Sequence, residues 1–190
     1  MWRFLPNFIT ILRGLATLPV LVLLLDESWR PAFWLLLLAG LSDLLDGWLA
    51  KRFGWQSRLG AALDGLADKI LLLGVFLGLV LVNRLPIGWL ILVVSRDAII
   101  VCGAWLYNRL IEKLRPQPSW LGKLSTASQI ALALWIIASS AWSLPQQPLA
   151  QGLFWLAVFM TSVSGLHYIL VWALRARSHG LSRNTERSRR

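Results

Sequence analysis

The sequence predicts an all-α polytopic membrane protein, a bundle of about six transmembrane helices with both termini cytoplasmic. Three observations carry that expectation. Hydrophobic residues make up 57% of the 190-residue chain and charged residues only 15%, a balance too apolar for an ordinary soluble domain. Apolar stretches close to bilayer length recur between short polar breaks. The breaks alternate between basic and non-basic along the chain, as the positive-inside rule requires of successive loops.

The first helix is expected from about Leu5 to Leu25, with Arg3 and Arg13 marking its cytoplasmic start. Asp26, Glu27 and Arg30 form a net acidic outer loop. The second helix runs from about Pro31 to Ala50 and ends at Lys51, Arg52 and Arg58, an inner loop. The third covers about Gly60 to Val82, with Asn83 and Arg84 as an outer turn. The fourth covers about Pro86 to Asn108, and Arg109, Lys113, Arg115 and Lys123 place the next loop inside. The fifth runs from about Leu124 to Trp142, the uncharged Ser143–Ala150 loop lies outside, and the sixth runs from about Pro148 to Leu174. Pro31, Pro86 and Pro148 stand near helix starts, where a missing N–H costs little.

The length suits one membrane domain, residues 1–177, followed by a basic tail at 178–190 that is expected to be disordered and attracted to anionic lipid. The formal charge of +10 belongs to cytoplasmic loops. The basic residues flank apolar spans, so a nucleic-acid partner is not expected. The lone Cys102 cannot form an intrachain disulfide. Arg13 interrupts the first apolar stretch, so that segment reads as a span and not as a cleaved signal. Many of the 12 tryptophans, Trp29, Trp34, Trp89, Trp120 and Trp142 among them, fall near predicted helix ends and read as interfacial anchors. Gly74 and Gly78 form a GxxxG pair that permits close helix packing.

Function is concentrated in four aspartates. The chain has nine acidic residues, and Asp43, Asp46, Asp64 and Asp68 lie within one short stretch. Ionisable groups inside apolar segments are costly and mark function. Spacings of three and seven put Asp43, Asp46 and Ala50 on one helix face, near the cytoplasmic end of the second helix. Gly60, Asp64 and Asp68 recur every four residues, again on one face, near the start of the third. Gly47 and Ala50 keep the first face small enough for a ligand or a backbone to approach.

Four carboxylates in a low-dielectric site repel one another and stay ionised only with counter-charge. Lys69 offers one charge. An oxygen-only donor set without a His or Cys cluster suits two divalent cations, Mg²⁺ or Mn²⁺, better than zinc. Such a pair serves phosphoryl chemistry, and the amino end of the third helix favours an anionic ligand. Salt bridges to basic residues would explain one such aspartate, but not four at matched spacing. A proton or ion pathway would place acids at several depths, whereas the remaining acids lie mostly in loops.

The pattern Asp43-x2-Asp46-Gly47-x2-Ala50-Lys51-x8-Gly60-x3-Asp64-x3-Asp68 resembles the signature of the CDP-alcohol phosphatidyltransferases, and the resemblance extends along nearly the whole chain. It implies an integral membrane enzyme, a homodimer in the bacterial inner membrane with its site at the cytoplasmic surface. The enzyme would attack CDP-diacylglycerol with an alcohol and release CMP. By the family pattern Asp43, Asp46 and Asp64 would ligate the cations, and Asp68 would complete the metal site and act as general base. Asp46, Gly47, Ala50, Lys51 and Gly60 would bind the cytidine diphosphate. Lys51 stands where the family has Arg, keeping the charge without the planar fork. Replacing Asp68 by Asn is expected to abolish turnover with little unfolding.

Flanking segments resemble the branch that makes phosphatidylglycerophosphate or cardiolipin. They are Leu5-Pro6-Asn7-x2-Thr10-x2-Arg13, Ser95-Arg96-Asp97 and the stretch from Pro118 to Thr126. They imply a glycerol-type phospholipid acceptor, phosphatidylglycerol slightly ahead of glycerol-3-phosphate, with Arg13, Arg96 and Lys123 as candidate ligands of an acceptor phosphate. A local ion pair with Asp97 is the plainer role for Arg96. Gly65 departs from the Pro usual in that branch. Two other classes compete. A membrane prenyltransferase also uses aspartates and Mg²⁺, but needs acid-rich motifs in two separate places. A non-catalytic membrane scaffold would tolerate Asn at the aspartate positions.

Overall fold

Left-handed backbone at Glu27, Asn83 and Ser143 (φ 51°, 57° and 53°) ends three helices in the same way. Behind Glu27, Ser28 N–H donates to Leu23 O (2.8 Å) and Glu27 N–H to Leu24 O (3.1 Å). Behind Asn83, Arg84 N–H donates to Leu79 O (2.8 Å) and Asn83 N–H to Val80 O (3.0 Å). These are Schellman caps, which satisfy carbonyls that the last helical turn leaves without a donor. Ser143 carries a third, with Leu144 N–H donating to Ser139 O (2.9 Å).

The computed structural model describes residues 5–52, 58–110, 119–145 and 148–187; within its helices the side chains at 5–11, 43–51, 58–64, 107–108, 110 and 173–187 lie outside the described set. The described elements are six helices: α1 (Leu5–Leu25), α2 (Trp29–Arg52), α3 (Arg58–Leu81), α4 (Ile87–Leu110), α5 (Trp120–Ala141) and α6 (Leu149–Arg187). Among the described residues, three stretches are long and apolar enough to cross a membrane: Ile87–Leu106, Trp120–Ala141 and Leu149–Trp172. The apolar part of α1, Leu12–Leu25, is shorter. With this composition the chain is an integral membrane protein.

α5 starts four residues earlier than the sequence predicts, and Ser119 is the reason. Its Oγ accepts from Gly122 N–H at 3.0 Å and its carbonyl accepts from Lys123 N–H at 3.1 Å, an N-cap. The last helix runs past residue 178, where the sequence suggests a tail. α6 continues to Arg187, a helix of 39 residues, well beyond the ~20 that a bilayer needs. The Ala, Leu and Arg residues that follow Trp172 are good helix formers, so nothing in that composition stops the helix at the membrane edge.

The chain divides into two compact units, Met1–Leu90 with Leu132–Gln151, and Ile91–Ala131 with Gly152–Arg190. In the first, α1 packs against both α2 and α3. Val20, Leu24, Val75, Phe76 and Leu79 are fully buried there. Trp89 is 2% exposed and meets Phe76 edge-on at 5.4 Å, so it is a core residue and not an interfacial anchor. Trp120, at 79% exposed, keeps the anchor's position. In the second unit polar side chains are buried among apolar ones. Gln129 Nε2 donates to Thr161 Oγ1 (3.0 Å), and Ser125 Oγ donates to the same oxygen (3.2 Å). Within an apolar helix such partners are obligatory.

Candidate active site

The α1–α3 seam is built on small residues. A Cβ at Gly14 would lie 4.0 Å from that of Ala67. A Cβ at Gly74 would overlap Thr17 Cγ2, and one at Gly78 would come within 2.9 Å of Leu24 Cδ1. The GxxxG pair is therefore spent inside the chain, letting α1 approach α3 closely. The contacts rise together along both helices, residues 13–14 beside 67–68, residue 17 beside 74 and residue 24 beside 78. The two helices run parallel, as an intervening α2 requires.

At the residue 13 end of this seam, Arg13 Nη1 donates to Asp68 Oδ1 at 2.5 Å. The arginine side chain is 2% exposed and the aspartate side chain 41%. Charge-assisted pairs of this kind are the shorter and stronger hydrogen bonds. Asp68 is the last of the four aspartates, and its described cationic partner lies 55 residues away. The sequence pointed instead to Lys69 as counter-charge and to Arg13 as an acceptor ligand.

Asp43 and Asp46 lie on the closing turns of α2, and Asp64 on the second turn of α3, one turn before Asp68. The side chains of Asp43, Asp46, Gly47, Ala50, Lys51, Gly60 and Asp64 lie outside the described set. Ser42, adjacent to Asp43, and Arg13 line one end of a cavity of about 430 Å³ that is otherwise bounded by Leu12, Leu15, Ala16, Pro19, Leu35, Leu38 and Ala39.

The remaining two candidates fall in the second unit. Arg96 is 9% exposed. Its Nη1 donates to Asp97 Oδ1 at 2.6 Å and its Nη2 to Ser164 Oγ at 3.0 Å. Its buried Nε has no acceptor among the described residues. Gly122 and Gly165 make room for it, since a Cβ there would lie 3.4 Å from Nη2 and 3.6 Å from Cγ. The Tyr168 hydroxyl accepts from Ser119 N–H at 3.3 Å, fixing the start of α5 beside the arginine. Lys123 is exposed and places its Nζ 5.1 Å from the centre of the Trp120 ring.

This arrangement puts the aspartate pattern on α2 and α3 and binds its last member to α1. The sequence profile of the CDP-alcohol phosphatidyltransferases matches residues 3–163, which takes in all three helices and the Arg96 segment. The chain belongs to the CDP-alcohol phosphatidyltransferase family. It is 30% identical over 181 residues to a cardiolipin synthase (CMP-forming) of Rattus norvegicus, covering 86% of this chain and 59% of the relative. It is 36% identical over 146 residues to a chloroplastic CDP-diacylglycerol–glycerol-3-phosphate 3-phosphatidyltransferase of Oryza sativa subsp. japonica, covering 67% and 44%. It is 30% identical over 173 residues to the CDP-diacylglycerol–glycerol-3-phosphate 3-phosphatidyltransferase of Escherichia coli (strain K12), covering 86% and 92%. The chain thus spans about three-fifths of the length of the rat relative and nearly all of the bacterial one.

In this family member, sequence reasoning missed Ser164, Tyr168, Thr161 and Gln129 as the polar lining of α5 and α6. The signal was present as spacing. Thr161, Ser164 and Tyr168 recur at three and four, as do Ser125, Ser128 and Gln129, which puts each set on one helix face.

Proposed function

We propose that the chain transfers a phosphatidyl group from CDP-diacylglycerol to a glycerol-type acceptor and releases CMP. The observation that carries this reading is the complete aspartate pattern on consecutive helices of a chain that matches the family from residue 3 to residue 163. The donor set of Asp43, Asp46, Asp64 and Asp68, all carboxylate, fits hard divalent cations, Mg²⁺ or Mn²⁺. When bound, such ions supply charge to neutralise a diphosphate and its leaving group.

The chain's own residues do the rest. Lys51, Gly47, Ala50 and Gly60 receive the cytidine diphosphate, with Lys51 supplying charge and the small residues supplying space. Asp68 takes the proton of the acceptor hydroxyl. The hydroxyl oxygen then bonds to the lipid-side phosphorus as the bond from that phosphorus to the CMP oxygen breaks. CMP leaves with the bonding electrons. The displacement is a single step, and trapping a covalent phosphatidyl-enzyme would rule it out. Arg96 and Lys123 hold a phosphate of the acceptor; the buried, incompletely satisfied guanidinium of Arg96 supports that role.

Phosphatidylglycerol is the favoured acceptor, on the resemblance of the Ser95-Arg96-Asp97 and Pro118–Thr126 segments to the cardiolipin-forming branch and on the similarity to the rat cardiolipin synthase. Glycerol-3-phosphate is the second reading, favoured by the bacterial relative, which this chain covers over 92% of its length. The enzyme acts as a homodimer with both termini and the active site on the cytoplasmic face of a bacterial inner membrane. Mass spectrometry of the lipid products, with each acceptor supplied separately, distinguishes the readings. Cardiolipin from phosphatidylglycerol supports the first, and phosphatidylglycerophosphate from glycerol-3-phosphate supports the second.

A further inference from the structure

We propose that Arg13 is a positioning residue for Asp68, holding the base in place from α1, and is not a ligand of the acceptor. The inference rests on the phosphatidyltransferase reading above and goes beyond it in assigning a task to the first helix.

The asymmetry of the pair carries the argument. Arg13 is 2% exposed at its side chain while Asp68 is 41% exposed. The covered guanidinium already gives its Nη1 to the carboxylate. An acceptor hydroxyl can reach the aspartate. The one group is placed to be supported against, the other to be approached.

The support is stiff. Residue 14 lies against residue 67, and Thr17 and Leu24 fill the spaces over Gly74 and Gly78. Backbones this close leave α1 little freedom to slide along α3. Arg13 therefore meets Asp68 from a fixed point, through a 2.5 Å contact. A carboxylate on a short side chain can rotate away from its substrate; a fixed guanidinium on Oδ1 limits that rotation. Small misplacements of a catalytic group are costly in rate. A covered cation needs a carboxylate partner, so Arg13 ties the integrity of the seam to the orientation of the base.

The test is steady-state kinetics on the full chain in detergent with CDP-diacylglycerol and Mn²⁺, using phosphatidylglycerol and glycerol-3-phosphate in turn. The wild type is measured first; absence of acceptor-dependent CMP there would defeat the phosphatidyltransferase reading itself. Given an active wild type, Arg13→Gln is expected to lower kcat about 100-fold, the scale of a mispositioned general base, while the acceptor KM stays within about 3-fold of wild type. Arg13→Lys, which keeps the charge and loses the fork, is expected to recover part of that loss and to sit about 3- to 30-fold below wild type in kcat. If either variant instead weakened acceptor binding, with KM raised about tenfold or more at nearly unchanged kcat, Arg13 would be an acceptor ligand and the proposal would be overturned. A wild-type kcat in either variant would overturn it as well. If Arg13→Gln is not recovered folded, the Lys variant decides by the same split.

Discussion

Arg13 and Arg96 are each nearly sealed from solvent, yet one is answered from 55 residues away and the other by its neighbour in the sequence. Arg13 joins two helices and meets a carboxylate of the aspartate pattern. Arg96 folds back on Asp97 and adds Ser164 on α6. A long-range pair fixes a tertiary arrangement, because it forms only when α1 and α3 are in register. A pair between sequence neighbours needs no second helix to form, although Arg96 also reaches Ser164 through Nη2. Positioning is the task proposed for Arg13, and ligand binding the task proposed for Arg96.

Asp68→Asn breaks the comparison most directly. CMP release should fall by about 10³-fold or more, because the base is gone. The sequence alone led us to expect little unfolding. The structure changes that expectation, because Arg13 loses its carboxylate. The variant should lose about 1–2 kcal/mol, less than for a fully buried pair because Asp68 is partly exposed. Thermal unfolding in detergent checks this, and an unchanged midpoint would show that the pair is not formed in the membrane protein.

Arg96→Gln sharpens the other side. It should weaken binding of a phosphate-bearing acceptor, raising its KM by about 10- to 100-fold with kcat nearly kept, the effect of lost uniform binding. An effect on kcat alone would move Arg96 into the positioning class with Arg13. A smaller effect tests the seam that holds Arg13. Gly74→Ala forces a Cβ onto Thr17 and should cost about 1–3 kcal/mol by overpacking. Gly152→Ala meets nothing within 4 Å and should instead gain up to about 1 kcal/mol in helix propensity. Equal melting shifts in the two variants would mean that the close α1–α3 approach is absent. Smallest of all, Ser119→Ala should cost about 1 kcal/mol through loss of the α5 cap, read by the same unfolding measurement.

Six helices were legible because apolar length and loop charge are local properties of the chain, and α1 to α5 fall within a few residues of their expected limits. The end of α6 was not, since a polar, basic composition looks the same whether it stays helical past the membrane or not. The aspartate pattern was legible through its spacing. Its partner was not. Nothing near Asp68 in the sequence names Arg13, and only the packing of Thr17 into Gly74 and of Leu24 onto Gly78 brings them together. Arg96 was the converse case. Its pairing with Asp97 could be read directly, whereas the third member, Ser164, depended on α6 reaching the same place. Trp89 was misplaced for a similar reason. A tryptophan near a helix end resembles an anchor until Phe76 covers it.

The measurement that bears most directly on the whole account is CMP release from CDP-diacylglycerol by the purified full chain with Mg²⁺ or Mn²⁺, with and without a glycerol-type acceptor. CMP and new phospholipid should form in equal amounts only when acceptor and divalent ion are both supplied, and Asp68→Asn should yield both about 10³-fold or more slowly. A folded wild-type protein that releases no CMP with either phosphatidylglycerol or glycerol-3-phosphate would contradict it.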